Sequence, residues 1–332
     1  NNSGGPHCLA YGVTNAHILA IEVVLADGEV VTLGGLDAEP AGYDLRGVFV
    51  GGEGMLGITT KVAVRITPNP PAVRTLLLSF DTPRDAAATV SAVIAAGIVP
   101  AAMEVMDQRI TIAVENYVNV GYPKDAGAVL LAEVDGLPDG VEIDAQRISE
   151  IGREHGATDV RQAESDEERM LLWKGRKTAF GAVAQIAPNY YLHDTVVPRS
   201  KLADTLEEVY RIADEYDLAV VNVFHAGDGN LHPLLLFNGQ EPGIYDRVHA
   251  AGAKIVEASL AAGGVLSGEH GIGVEKQPYM HQMFTDDDLD HQERLRHAFD
   301  PACRSNPGKV IPVGHSCADI QSLRATPEGV WG

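Results

Sequence analysis

The sequence predicts an α+β fold in which an antiparallel sheet carries packed helices, and three observations lead there. Short apolar runs of strand length, Leu76 to Phe80, Ala128 to Val134, Leu218 to Phe224 and Pro233 to Phe237, alternate with helical patterns such as Leu202, Leu206, Val209 and Ala213. Asp27-Gly28 and Asp228-Gly229 fall between apolar runs, where Asp-Gly is a hairpin signal, and hairpins favour antiparallel over doubly wound parallel pairing. The 332 residues are 45% apolar, which is enough for two compact domains with buried cores and excludes a disordered chain.

The elements follow in order. Asn1-Asn2-Ser3-Gly4-Gly5 has neither the basic start nor the apolar core of a secretory signal and reads as the middle of a fold. Ile18 to Leu25 and Glu29 to Leu33 form a hairpin about a two-residue Asp27-Gly28 turn. The Gly-dense stretch Gly51 to Ile58 precedes an alternating run from Lys61 to Ile66. Pro68, Pro70 and Pro71 then break the pattern and set a domain boundary, giving residues 1–70 and 71–312. Ala86 to Met103 is uncharged, but Thr89, Ser91, Gly97 and Pro100 interrupt it, so it reads as a soluble helix rather than a membrane span. Thr82 caps that helix, Pro83 occupies its first position, Asp85 its first turn, and Gly97 and Pro100 stop it. A further helical pattern runs from about Tyr245 to Gly263-Gly264, and the polar, aperiodic residues 313–332 read as a loose tail. No internal repeat and no transmembrane segment are expected.

Charge and cysteines narrow the class. Against 25 basic residues stand 46 acidic ones, and the net −21 repels nucleic-acid phosphates and anionic lipid, which excludes a nucleic-acid partner. A small anionic substrate would need a local cluster of Arg, His or metal to overcome that field. Cys8, Cys303 and Cys317 are odd in number, widely spaced and without a C-x-x-C pair, a pattern expected of a reducing, cytoplasmic setting.

The most informative stretch is Phe224-His225-Ala226-Gly227-Asp228-Gly229-Asn230-Leu231-His232-Pro233. With Asp228 and Gly229 central to a two-residue turn, His225 and His232 become direct cross-strand partners on one face, roughly 5 Å apart at Cβ. Two imidazoles at that separation can converge on one metal ion. The alternative is a pair of surface histidines beside an ordinary turn. Ser267-Gly268-Glu269-His270-Gly271-Ile272-Gly273 offers a third ligand in a Gly-rich loop. In an extended segment the adjacent Glu269 and His270 point to opposite sides, so one can ligate while the other faces substrate; the alternative is a solvated turn. Two histidines and a carboxylate with open positions suit zinc, manganese or iron.

The segments Asn2 to His7, Tyr43-Asp44-Leu45 with Gly51 to Ile58, His225 to His232, Ser267 to Gly273 and Asn306-Pro307-Gly308-Lys309 resemble, in this order, the FAD-linked oxidase family of vanillyl-alcohol-oxidase-type flavoproteins. That family holds glycolate oxidase D subunits and D-lactate dehydrogenases, and the likeness runs from Asn1 to about Pro312. The resemblance implies the second half of an FAD-binding domain (PCMH-type) followed by a cap domain with the substrate site. It implies metal ligands at His225, His232 and Glu269 and a catalytic histidine at His270. A substrate-carboxylate arginine falls on Arg176, which as a bare helix residue would be a solvated charge. FAD would lie along Ser3, Gly4, Gly5, Gly52, Glu53, Gly54, Gly57, Ile58 and Asn306, which otherwise read as tight turns.

Two departures stand out. The family's N-terminal half-domain, with the loop that holds the FAD pyrophosphate, has no counterpart here, so this chain by itself is expected to bind FAD weakly. Leu192 and Leu234 occupy two positions that are polar in the hydroxyglutarate enzymes, which points to a smaller substrate such as glycolate or D-lactate. The implied reaction has His270 remove the hydroxyl proton while hydride leaves for flavin N5, with a quinone, an electron-transfer flavoprotein or an iron-sulfur subunit as the acceptor. Two rivals remain: a metal-dependent hydrolase built on the same donors, and a catalytically silent remnant.

Overall fold

The structure is a computed structural model that describes residues 1–36 and 42–312, so the expected loose tail lies outside the described residues. In chain order its elements begin with α1 (Cys8–Tyr11), β1 (Ile18–Val24), β2 (Val30–Gly34), α2 (Leu45–Phe49) and β3 (Ile58–Val64). The long middle stretch holds β4 (Ala72–Phe80), α3 (Pro83–Ala95), β5 (Ala102–Asp107), α4 (Gln108–Val118), β6 (Ala128–Gly136), α5 (Pro138–Glu154), β7 (Ala157–Gln162) and α6 (Asp166–Ala182). Then come β8 (Asn189–Leu192), β9 (Thr195–Val196), α7 (Leu202–Glu215), β10 (Ala219–His225), β11 (Asn230–Leu231), β12 (Pro233–Phe237), α8 (Ile244–Ala261), α9 (Met280–Met283) and α10 (Asp286–Phe299).

Contacts gather these elements into two compact units. Of the described residues, the first takes Asn1–Ser3, those within Val13–Thr67 and those from Glu269 to Pro312; the second takes Gly4–Gly12 and Pro68–Gly268. In the first unit a three-stranded antiparallel sheet has the order β2-β1-β3. Its β1–β2 turn differs from the two-residue expectation. Leu25 N donates to Glu29 O at 2.9 Å, so three residues, Ala26, Asp27 and Gly28, close the hairpin, with Gly28 at φ +92°. A three-residue loop closed by a left-handed residue needs its glycine at the last position.

In the second unit nine antiparallel strands form one sheet, β7-β4-β6-β5-β10-β11-β9, with β12 pairing both β10 and β8. One face packs Leu76, Leu78 and Phe80 against α3, α5 and the start of α7. The other packs Leu77, Val129, Leu131 and Met106 against α4 and α6. With both faces covered, the central strands carry successive buried apolar residues, Leu76 to Leu78 in β4 and Ala128 to Ala132 in β6, and this is why they read in the sequence as continuous runs rather than alternations. The uncharged stretch from Ala86 divides into α3, capped by Thr82 Oγ1 accepting from Asp85 N, and the strand β5. Among the described residues no helix is long and apolar enough to cross a membrane.

At the end of β5, Asp107 caps α4 and accepts from Ile110 N at 3.2 Å, Asn222 N at 2.6 Å and Tyr210 Oη at 3.0 Å. Burial pushes its carboxyl from the ordinary 3.8 up to about 6, against the pull of those hydrogen bonds. Because the folded value lies above the unfolded one, the stability this group contributes is complete below pH 3.8 and is lost as pH rises through about 6. A carboxyl-carbon NMR titration should place the Asp107 midpoint near 6. A midpoint at the ordinary carboxylate value would remove the buried-cap account.

Candidate metal centre and active site

The His225–His232 stretch folds as a tight hairpin whose register is shifted by two residues from the expected one. His225 pairs with Asn230 and Asn222 with Pro233. Ala226 O accepts from Gly229 N at 3.2 Å, so Gly227 and Asp228 are the central turn residues and Gly229 follows at φ +80°. A one-residue slip would have sent the two histidines to opposite faces, whereas a two-residue shift returns them to the same one. They become diagonal neighbours instead of direct partners, with ring centroids 5.1 Å apart and planes at 86°. Both are buried.

Two buried carboxylates that the sequence reading missed stand behind them. Glu104 on β5 is the direct cross-strand partner of His225. Its Oε1 lies 2.7 Å from His225 Nδ1, and its Oε2 meets Arg176 Nε at 2.7 Å and an Nη at 2.6 Å. Burial raises the Glu104 carboxyl, but Arg176 and His225 outweigh it and hold the group below the usual carboxylate range. Asp194, between β8 and β9, accepts from Ser267 Oγ at 2.7 Å and Gly268 N at 3.1 Å, and lies 3.9 Å from His232 Nδ1. A lone Glu inside the apolar run Ala101 to Met106, and the pair His193-Asp194 ahead of a strand, were the available signals.

Arg176 is therefore not a solvated charge: its side chain is 6% exposed, and its Nε and one Nη lie against Glu104 Oε2. It reaches Glu104 because α6 packs on the sheet face that carries Met106, Val223 and Leu234. On that face Leu192 and Leu234 are cross-strand partners, which accounts for their apolar character.

Glu269 and His270 open the last segment of the first unit, one peptide bond beyond Gly268. The segment bends at Gly268, Glu269 and His270 instead of running extended. The expectation of opposed side chains fails for that reason: His270 Nε2 lies 3.9 Å from Glu269 Oε1. The His270 side chain is 44% exposed and that of Glu269 14%.

The residues expected along FAD divide between the units. In the first, Ser3 O accepts from Thr14 N and Oγ1. Gly52 N donates to Phe49 O at 3.0 Å. Gly57, at φ +152°, passes so near β1 that an added Cβ would sit 2.8 Å from Val24 O, and Ile58 follows at the exposed start of β3. Glu53, at φ +47°, turns its carboxylate inward: Oε1 accepts from Ile272 N at 2.7 Å and Oε2 from Gly273 N at 2.9 Å. Asn306 Nδ2 donates to Glu53 O at 2.6 Å and packs beside Gly54. Three of the motif strings are thus joined through Glu53. In the second unit, Gly4 lies against Cys8, while Gly5, at φ +102°, accepts at its carbonyl from Cys8 N.

Comparison with known proteins follows the same residues. Residues 69–310 match the family described as FAD linked oxidases, C-terminal domain. The chain belongs to the FAD-linked oxidases. The glycolate oxidase subunit GlcD of Escherichia coli K12 is 47% identical over 322 residues, covering 97% of this chain and 64% of that protein. GlcD of Bacillus subtilis is 41% identical over 311 residues, covering 93% and 66%. A D-lactate dehydrogenase of Anaerostipes hadrus is 32% identical over 318 residues, covering 93% and 67%. This FAD-linked oxidase chain spans less than two thirds of the length of those GlcD subunits. In fold it is similar to p-cresol methylhydroxylase, with a TM-score of 0.72 at 16% identity over 90% of this chain and 66% of that one.

The Glu53 clasp gives a prediction. A Cβ at Gly271, where φ is +94°, would lie 2.7 Å from Glu53 Oε1. Gly271→Ala should destabilise the first unit by about 1–3 kcal/mol through left-handed strain and loss of the clasp. Glu53→Gln, which turns an amide donor on a backbone donor, should cost a similar ~1–3 kcal/mol. Urea midpoints unchanged in both variants would show that the clasp holds nothing.

Proposed function

We propose that this chain is the substrate-binding part of an FAD-dependent enzyme that oxidises a small 2-hydroxy acid, glycolate or D-lactate, to the 2-oxo acid. The reading places a divalent metal on His225, His232 and Glu269. The observation that carries it is the buried histidine pair, with Glu104 on Nδ1 of His225 so that Nε2 is the nitrogen left to ligate. Glu269 follows Gly268 directly, and the Gly268 N–H is held by Asp194, so the Glu269 Cα stays about 3.8 Å from an anchored Cα. Two imidazoles and a carboxylate fit zinc, manganese or iron. Membership of the FAD-linked oxidases and the names of the relatives support the reaction class and the substrate size.

When bound, the flavin supplies the hydride acceptor and the metal polarises the substrate hydroxyl. The chain does the rest. His225 and His232, held by the hairpin register, fix where the hydroxyl lies. His270, with its imidazole half exposed, takes the hydroxyl proton and can return it to solvent. Leu192 and Leu234, paired across β8 and β12, stand where the hydroxyglutarate enzymes are polar, which favours a substrate without a second carboxylate. Ser3, Gly4, Gly5, Gly52, Gly54, Gly57 and Ile58 are the residues we assign to the flavin wall. Glu53, whose carbonyl accepts from Asn306 Nδ2, supports that wall by holding the 271–273 loop.

Two experiments test this. Elemental analysis of the full chain should find a divalent metal that is lost in His225→Ala and in His232→Ala, with glycolate or D-lactate turnover of the flavin-loaded enzyme lost alongside. Full metal occupancy in both variants would overturn the ligand assignment, and turnover independent of flavin would favour a hydrolase. Glu269→Ala should also lose the metal. His270→Ala should keep it and slow flavin reduction by about 10² to 10⁴-fold in stopped flow, the usual worth of a general base. Reduction at the parent rate, or loss of metal from the His270 variant, would exchange or erase these roles.

A further inference from the structure

We infer that Glu104 is a positioning residue that locks His225 in its metal-binding tautomer, and that Arg176 acts on the metal site through Glu104. The inference rests on the metal reading above and extends it to what Glu104 and Arg176 do for the affinity of that site.

The geometry is specific to this task. Glu104 has no exposed surface and lies directly across from His225 between β5 and β10. Each of its two oxygens has a different partner: Oε1 meets His225 Nδ1 at 2.7 Å, and Oε2 meets the Arg176 fork at 2.7 and 2.6 Å. A carboxylate paired with a guanidinium only accepts hydrogen bonds, so the proton of the imidazole must sit on Nδ1. Nε2 is then the lone pair, which is the form a metal needs. Arg176 balances the charge of the carboxylate and holds its Oε2, which leaves Oε1 turned to His225.

Stability alone does not explain these residues. A buried ion pair is often no better than apolar side chains of the same volume, and the neighbours of Glu104 on its face of β5, Ala102 and Met106, are apolar and buried. The third member of the cluster supplies the reason. Asp194, which accepts from Ser267 Oγ and Gly268 N, lies 3.9 Å from His232 Nδ1. The orientation of His225 is set by Glu104.

The test is Zn²⁺ binding to the chelator-stripped full chain, measured in competition with a chromophoric chelator, with urea unfolding on the same samples. Glu104→Gln should weaken Zn²⁺ by about 10- to 100-fold, because an amide cannot accept from both Arg176 and His225. Arg176→Met should weaken it in the same direction, which a residue serving only the substrate carboxylate would not do. The double variant Glu104→Leu/Arg176→Met leaves no unpaired charge in the core, so it should fold and still bind Zn²⁺ as weakly as Glu104→Gln. A folded double variant with parent affinity overturns the inference. If the double variant does not fold, parent affinity in Glu104→Gln overturns it instead. A parent chain that binds no Zn²⁺ removes the metal reading and this inference together, and the parent arm identifies that case before any variant is compared.

Discussion

A carboxylate with no exposed surface has to find its hydrogen bonds and its counter-charge inside the protein, and Glu104 finds them on two other elements, α6 and β10. The requirement ties three pieces of the second unit into one geometry. The strand β5 must pair with β10 in the register that sets Glu104 opposite His225. The helix α6 must pack with Arg176 toward the sheet, through Leu172, Trp173 and Ala179. Withdrawing one partner from such a buried pair typically costs about 3–5 kcal/mol, more than most single contacts, so the register and the helix placement support each other.

The Gly-rich string from Ser267 to Gly273 is held by the same kind of device at each end. Within the second unit, Asp194 takes Ser267 Oγ and Gly268 N; within the first, Glu53 takes Ile272 N and Gly273 N. Between the two grips lie Glu269, His270 and Gly271. Charge-assisted hydrogen bonds to backbone N–H groups are among the stronger ones. Gly271 is glycine because the Glu53 carboxylate occupies the space where a Cβ would be.

The sequence determined the fold class, the strand runs of the second unit, the capped start of α3 and the placing of His225 and His232 on one face of a hairpin. These are local properties: periodicity, turn chemistry and capping act within a few residues. Even the misplaced turn at Asp228-Gly229 kept the histidines together, because parity survives a two-residue shift. What only the tertiary structure decided depends on residues far apart in the chain. Glu104 is a lone charge in an apolar run until β5 meets β10, Arg176 reads as solvated until α6 covers the sheet, and Glu53 reads as part of a tight turn until residues 271–273 reach it. In each case the side chain's role follows from the partner that meets its charge in a place water does not reach, and that partner is set by long-range packing rather than by neighbours in sequence.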